Sequence, residues 1–379
     1  MNKMLALGEP APWFHGQALS GANHYAFDTA AGRWIVMLLM GSGAREVAQT
    51  ALRLLQQNRE LFDDRQASFF GVTIDPSDAK LGRVAQALPG IRWFLDYDYQ
   101  VSKTYGAAQV NGEGVAYAPH WLLLDPMLRV RYRATLADGP GVMAELRRQL
   151  SLDGEMPTAP VLVVPEVLSP DMCRHLIGLY ERHGGDESGF MHEENGITVG
   201  KIDHRHKRRA DYTIKDEQLV ATLKRRMATV LQPMIRRSFQ FDASRIERFI
   251  VACYDGDHGG HFRAHRDNTT KGTAHRKFAC TINLNADEYE GGDLCFPEFG
   301  RRTYRAGTGG AVVFSCSLLH EARPVTRGRR YAFLPFLYDA DGARIREHNL
   351  PFVGPELQNY RSGLPLDDAK GRPSRSTIA

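Results

Sequence analysis

Arg248-Phe249-Ile250-Val251-Ala252-Cys253-Tyr254 leads through Asp255-Gly256 to His265-Arg266-Asp267, and this stretch decides how the C-terminal half of the chain reads. From Arg245 onward the segments are short, β-rich and separated by Gly, Asp and Pro, the pattern of a β-sandwich or barrel. A His-x-Asp at a strand end sets imidazole and carboxylate side by side, because alternate residues of a strand share a face. His320 follows the apolar strand Ala311–Phe314. Two imidazoles and one carboxylate on one face of a metal leave three positions open, which suits Fe(II) working with an oxoacid and O2. Arg330 lies in an alternating strand, on one face with Ala332, Leu334 and Phe336. A guanidinium directed into an otherwise apolar barrel needs an anion, and a carboxylate held by two hydrogen bonds is its best match. The neighbouring His258, His261 and His275 read as polar loop residues.

Further landmarks come in order: Thr281-Ile282-Asn283-Leu284-Asn285, Tyr289-Glu290-Gly291-Gly292-Asp293-Leu294-Cys295-Phe296-Pro297, Gly309-Gly310-Ala311-Val312-Val313-Phe314, His320-Glu321, Pro324-Val325 and Gly328-Arg329-Arg330-Tyr331. Together with the opening stretch they resemble the prolyl 4-hydroxylase-like family of Fe(II)/2-oxoglutarate oxygenases over about residues 161–340. The resemblance implies a double-stranded β-helix (jelly roll) with flanking helices. It implies that His265, Asp267 and His320 bind iron, and that Arg330 pairs with the distal carboxylate of 2-oxoglutarate, with Arg329 the alternative if the register slips by one. Tyr254 matches a tyrosine that assists the cosubstrate. Thr281 and Asn283, on the polar face of an alternating strand, either line the cosubstrate pocket or satisfy backbone groups. The cofactors implied are Fe(II), 2-oxoglutarate and O2, with ascorbate as an accessory. The expected reaction is hydroxylation of a prolyl residue of a protein or peptide, or of a related small molecule, with release of succinate and CO2.

The first half has a different grammar. Arg33–Met40 and Ala67–Ile74 are strand-like, Ala44–Leu61 has helical spacing, and Pro76 opens a helix reaching about Leu88. Ile91–Leu95, a short helix near Val101, the pair Trp121–Leu124 and Leu128–Tyr132, and a helix over Met143–Leu150 complete an α/β layer structure. Gly8-Glu9-Pro10-Ala11-Pro12-Trp13-Phe14, Gly71-Val72-Thr73-Ile74-Asp75 and the stretch from Leu95-Asp96 to Tyr105-Gly106 are similar to peroxiredoxins of the alkyl hydroperoxide reductase type. That family implies a thioredoxin-like fold, with a cis proline where Ala118-Pro119 stands. Where the family carries its peroxidatic cysteine, this chain reads Gly41-Ser42-Gly43-Ala44-Arg45-Glu46. Peroxide reduction needs a thiolate, so the domain is read as thiol-dead, serving docking or homodimerisation.

The domain plan is therefore residues 1–153, a Gly/Pro-bearing linker at 154–160, the oxygenase domain at 161–345 and a tail at 346–379 with a disordered last ten residues. In the second domain, Val161–Val164 reads as a strand and Ser169-Pro170-Asp171 as a helix start. Asp216 to about Ile235 reads as a second amphipathic helix, with Pro233 near its end. The 379 residues fit two domains. Their 48 basic and 44 acidic side chains leave a net charge of +4, too small a bias to argue for nucleic acid. Arg323 and Arg329 beyond His320 keep a nucleic-acid demethylase as a rival, which the lack of an aromatic-basic stripe disfavours. The run His204-Arg205-His206-Lys207-Arg208-Arg209 is either a solvated loop or a grip on an acidic substrate or partner. Five cysteines, all beyond residue 160, read as reduced thiols of a cytoplasmic protein. The longest apolar run, Trp34–Met40, is far short of a membrane span, and no secretory signal is visible. The rival from another class is a non-catalytic interaction protein built from a degenerate redoxin and an inactive barrel.

Overall fold

The apolar run at Trp34–Gly41 becomes the central strand of a five-stranded sheet, buried along nearly its whole length. The structure is a computed structural model that describes residues 4–19, 24–112, 114–152, 157–355, 357 and 364–365. These group into two units, Met1–Thr158 with Pro297–Arg301, and Ala159–Phe296 with Arg302–Ala379. In the first unit Trp34–Gly41 runs parallel to Ala67–Thr73, which runs parallel to Ile91–Leu95. On its other side it pairs antiparallel with His120–Leu124, which pairs with Val130–Thr135. The helices Glu46–Gln57 and Gly139–Leu150 bury Ala48, Ala51, Leu55, Val142, Met143 and Leu146 against Val36, Leu38, Trp121 and Leu123. A central strand covered in this way reads as a continuous apolar run rather than an alternating one.

Two local expectations fail in this unit. The helix opened by Pro76 ends at Lys80, not near Leu88. Gly82 adopts a left-handed φ of +66°, and the Asp78 carboxylate accepts from Arg83 Nη1 at 3.0 Å, folding the chain back where a helix would have continued. The cis peptide precedes Pro89 rather than Pro119.

The position expected to hold a reactive thiol is filled by oxygen chemistry. Ser42 Oγ donates to Asp75 Oδ2 at 2.6 Å. The wholly buried Asp78 accepts from Gly43 N at 2.8 Å and Thr73 Oγ1 at 2.6 Å. The five cysteines, all in the other unit, are buried, and burial pushes the Cys173 and Cys253 thiols up to about 11. The full chain is expected to show no turnover of hydrogen peroxide with a dithiol reductant. A peroxide-consumption assay that found saturable turnover would refute this.

The second unit is built on β-structure flanked by helices. Ser169 caps the helix Pro170–His183, its hydroxyl accepting from Met172 N, as the Ser-Pro signal predicts. The expected helix ending near Ile235 instead continues to Phe239. Glu217–Arg226 passes through a π-helical stretch, Met227–Leu231, into Gln232–Phe239, whose first turn carries Pro233. Proline lacks the N–H that an α-helical interior needs, and a widened turn accommodates it. A ten-stranded sheet contains, in neighbour order, Ala210–Thr213, Ile250–Asp255, Arg329–Phe333, Phe278–Asn283, Phe336–Tyr338 and Arg245–Glu247. A five-stranded sheet contains Lys207–Arg208, His261–His265, His320–Ala322, Leu294–Cys295 and Thr303–Tyr304.

Strand alternation sorts the larger sheet into two faces. Val251, Cys253, Cys280, Ile282, Val313 and Phe333 pack against Leu176, Leu219, Leu223, Leu231 and Ile235 of the helices. The alternate residues Ile250, Ala252, Tyr254 and Ala332 form a second cluster with Tyr289, Ala322, Val325 and Leu334. Phe262 of the smaller sheet packs against this second cluster, which places the inner face toward the His261–His265 strand. The helix Ala340–Asn349 runs across residue 345, where the tail was expected to begin, and Leu364–Pro365 pairs with Arg245–Ile246. Residues 154–156 of the expected linker and the last ten residues lie outside those described. Among the described residues, no helix is long and apolar enough to cross a membrane.

Candidate metal and cosubstrate site

His265 ends one strand of the smaller sheet and His320 begins its neighbour, and the two are register partners. Their ring centroids lie 4.3 Å apart. Asp267, two residues past His265, turns its carboxylate between them: Oδ1 lies 3.5 Å from His265 Nε2 and Oδ2 lies 3.3 Å from His320 Nε2. One ligand atom from each residue lies within 4.8 Å of the others. Both rings are aimed by their own backbone. His265 Nδ1–H donates to Arg263 O at 2.7 Å and His320 Nδ1–H to Leu318 O at 3.0 Å. This assignment of the proton to Nδ1 leaves each Nε2 lone pair directed at the carboxylate. Phe262 stacks on His265 at 3.5 Å and Phe314 packs on His320 at 4.6 Å, which fixes both planes.

Electrostatics suits a cation here. Burial, reinforced by His320, pushes His265 down to about 4, so its imidazole is neutral at physiological pH. Burial disfavours the Asp267 carboxylate, but His320 and His265 outweigh it and hold the group well below the usual carboxylate range. Nitrogen and oxygen donors about 2 Å from a divalent ion sit roughly 3 Å apart along a coordination edge, close to the separations found. The donor set therefore fits a transition metal.

Arg330 supplies the second half of the site. Its strand turns it inward, 2% exposed, while Arg329 faces out to Asp255 at 3.1 Å and Glu181 at 3.7 Å. The Arg330 guanidinium lies 5.0 Å from the centre of the Tyr254 ring, and its Nε and Nη1 have no hydrogen-bond partner among the described residues. The buried Tyr289 lies beside the Arg330 guanidinium: burial pushes its hydroxyl up, and the Arg330 charge opposes that more weakly. A buried guanidinium with two idle donors is costly unless an anion satisfies it. Gly291 and Gly292, read as a tight turn, both have φ near +70°, and a Cβ on Gly292 would stand 3.1 Å from Arg330 Cδ. Asn283 Nδ2 donates to Ala306 O at 2.7 Å, so this side chain does satisfy a backbone group, while its Oδ1 has no partner among the described residues. Thr281 is buried on the same strand face.

The basic run at 204–209 is a solvated loop only in part: residues 204–206 form a turn with His204 and Arg205 exposed, and the chain then enters a strand. Strand pairing turns Lys207 and Arg209 inward and Arg208 outward. Arg209 bonds Asp211 at 2.6 Å and donates to the Tyr254 hydroxyl at 3.3 Å, so two guanidinium groups flank one tyrosine. The Arg-x-Asp spacing, which puts both charges on one strand face, was the available signal for this pair.

His275 lies in a turn, as expected of a loop residue, but it is not solvated. It is buried, with Nε2 2.5 Å from Glu247, which also binds Arg276 at 2.7 Å and Arg346 at 2.9 Å. Arg276 in turn reaches the backbone carbonyl of Asp267 at 3.5 Å, so this cluster meets the main chain of the candidate metal group. Burial works against ionised Glu247, but Arg276, His275 and Arg346 hold it far below the usual carboxylate range. A depressed carboxylate stabilises the fold at neutral pH, and that contribution is lost as pH falls below the unfolded value of about 4.3. Glu247→Ala, which leaves buried cations unpaired, is expected to cost about 3–5 kcal/mol. Denaturant melts at pH 7 and pH 4 check both statements: the gap between wild type and variant must shrink at the lower pH.

The described residues thus hold a His265–Asp267–His320 group that could take one metal ion and a buried arginine with unpartnered donors, and residues 249–338 match the 2OG-Fe(II) oxygenase superfamily. The C-terminal unit thus carries a 2OG-Fe(II) oxygenase domain. Among curated proteins it is similar to PKHD-type hydroxylases. One from Verminephrobacter eiseniae is 32% identical over 147 residues, 32% of this chain and 64% of the relative, so the chain spans just under two thirds of that protein's length. One from Paracoccus denitrificans is 24% identical over 218 residues, 55% of this chain and 91% of the relative. Among solved structures, a prolyl hydroxylase from Trichoplax adhaerens, in complex with a hypoxia inducible factor peptide fragment, aligns with TM-score 0.39 and 16% identity over 50% of this chain and 87% of its own. AhpC from Mycobacterium tuberculosis aligns with TM-score 0.32 and 20% identity over 39% of this chain and 95% of its own.

Proposed function

We propose that the chain is an Fe(II)- and 2-oxoglutarate-dependent dioxygenase that hydroxylates an unactivated C–H bond, most suitably of a prolyl residue in a protein or peptide or of a related small molecule. The observation that carries this reading is the buried Arg330, whose idle donors lie on the sheet face turned toward the His265–Asp267–His320 group. A metal triad alone fits many reactions, but a triad facing an unsatisfied guanidinium fits a chelating diacid. We read the two sheets as a jelly roll with flanking helices, the domains as residues 1–153 and 161–345, and the N-terminal domain as a docking or dimerisation module.

In this reading His265, Asp267 and His320 hold iron, and Arg330 takes the far carboxylate of 2-oxoglutarate. Tyr254, its hydroxyl tied to Arg209, keeps the Arg330 guanidinium in place by covering one of its faces. The inner cluster of Ile250, Ala252, Ala332 and Leu334 keeps water from the pocket. When bound, iron and 2-oxoglutarate supply the oxidising equivalent from O2 and release succinate and CO2. Ascorbate would act only to return oxidised iron to Fe(II).

The test is an anaerobic titration of the Fe(II)-loaded full chain with 2-oxoglutarate, followed by the weak visible charge-transfer band. A saturable band is expected. A chain that binds neither would instead be the non-catalytic interaction protein.

A further inference from the structure

Besides Arg276, bound to Glu247, and Arg266, which donates to Ser317 O, three cations are buried around the candidate site: Arg330, Arg209 and Lys207. Two of them have anions assigned. Arg209 is matched by Asp211 at 2.6 Å. On the oxygenase reading, Arg330 is matched by the distal carboxylate of 2-oxoglutarate. The two positive charges of iron are matched by Asp267 and the proximal carboxylate. Lys207 is left over.

Lys207 is 5% exposed and pairs in register with Phe262, the residue stacked on His265. Its Nζ lies 4.8 Å from the centre of the Phe262 ring. Its two hydrogen-bond acceptors are neutral oxygens, Ser188 Oγ at 2.7 Å and Gly189 O. An ammonium carries three donors, so one remains. Among the described residues, no carboxylate lies within ion-pair distance of it. Burial, reinforced by the Arg209 and Arg248 cations, pushes Lys207 well below the ordinary lysine range, against weaker opposing pulls from Asp211 and Asp267. A lysine placed this way destabilises the empty protein unless an anion arrives to pair with it. Methionine would fill the same space without that cost, and would pack on Phe262 as well.

Building on the oxygenase reading, we propose that the acceptor substrate is itself an anion, and that Lys207 selects it by pairing with a carboxylate held beside the carbon to be hydroxylated. The carboxylate is either the α-carboxylate of an amino-acid-like acceptor or an acidic side chain flanking the target residue of a peptide. Both present the same group to Nζ, on the Phe262 side of His265. Neutral acceptors of the same shape leave the ammonium unmatched and bind more weakly.

Calorimetry on the full chain, with redox-inert Mn(II) in the metal site and saturating 2-oxoglutarate, tests this without turnover. One arm compares N-acetyl amino acids, N-acetylproline among them, with their amides. The other compares blocked proline peptides carrying a neighbouring Asp or Glu with their Asn or Gln counterparts. In at least one arm the acid is expected to bind roughly 10- to 100-fold more tightly than its amide. Lys207→Met is expected to erase that difference and Lys207→Arg to retain most of it, with 2-oxoglutarate affinity unchanged in both. Equal binding of every acid and its amide by the wild type overturns the proposal, as does a preference that survives in Lys207→Met. A chain that binds Mn(II) and 2-oxoglutarate normally yet shows no such preference refutes the Lys207 assignment alone. One that binds neither refutes the oxygenase reading together with it.

Discussion

Asp267→Ala and His265→Ala are expected to lose substrate-dependent succinate formation altogether while keeping the fold. Each removes one of three donors converging on one point, with ligand atoms within 4.8 Å of one another. Loss of a mere supporting partner costs a metal site about 10- to 100-fold, and loss of a ligand must cost more. The fold survives because Asp267 leans chiefly on groups that outlive the substitution. Its backbone N–H donates to Cys316 O at 3.0 Å, and its carbonyl still meets Arg276. The depressed Asp267 carboxylate stabilises the metal-free fold at neutral pH, so the metal-free variant should melt somewhat lower than metal-free wild type while remaining folded. Succinate release, metal content and circular dichroism measured on one preparation decide the matter. Undiminished turnover in either variant would falsify the ligand assignment.

Arg330→Met is the second large effect, and it separates cosubstrate binding from metal binding. Truncating one partner of a buried, hydrogen-bonded charge pair costs about 2–5 kcal/mol, which is roughly 30-fold to several thousand-fold in affinity. The variant should therefore retain iron and raise the 2-oxoglutarate concentration needed for half-saturation by that factor. Arg330→Lys should recover only part of the loss, because an ammonium cannot make the paired hydrogen bonds of a guanidinium. Without ligand, the methionine variant is expected to be as stable as the parent or more so, since the Nε and Nη1 donors it removes have no partner among the described residues. Arg329→Met is the control. That side chain is half exposed and bonds Asp255, and its loss should leave 2-oxoglutarate binding intact. If Arg329→Met and Arg330→Met behaved alike, neither arginine would be the diacid anchor.

Much of the first unit could be read from local pattern. Trp34–Gly41, Ala67–Thr73 and Ile91–Leu95 are apolar because both faces of their strands are covered, and such runs stand out in one dimension. Pro76 marks where its helix starts but not where it stops: the end at Lys80 goes with the left-handed turn at Gly82 and with an Asp78 carboxylate drawn inward by Gly43, 35 residues away. In the second unit, Ser169 and Pro170 marked a helix start by chemistry confined to one turn. The continuation of the second helix through Pro233 had no such mark, because a π turn is set by packing rather than by residue type.

The chain's own order of residues determined which groups could meet. A His-x-Asp pair at a strand end, a later histidine after an apolar strand, and an arginine at an inward register position are statements about alternation, which sequence records directly. Tertiary structure alone decided which cations would be cut off from water. Lys207, Arg208 and Arg209 look equivalent in the sequence, yet pairing with His261–Phe262 buries the first, exposes the second and buries the third against Asp211. The free energy of a charge depends on what surrounds it in space, and neighbours in space are supplied by strands far apart in the chain.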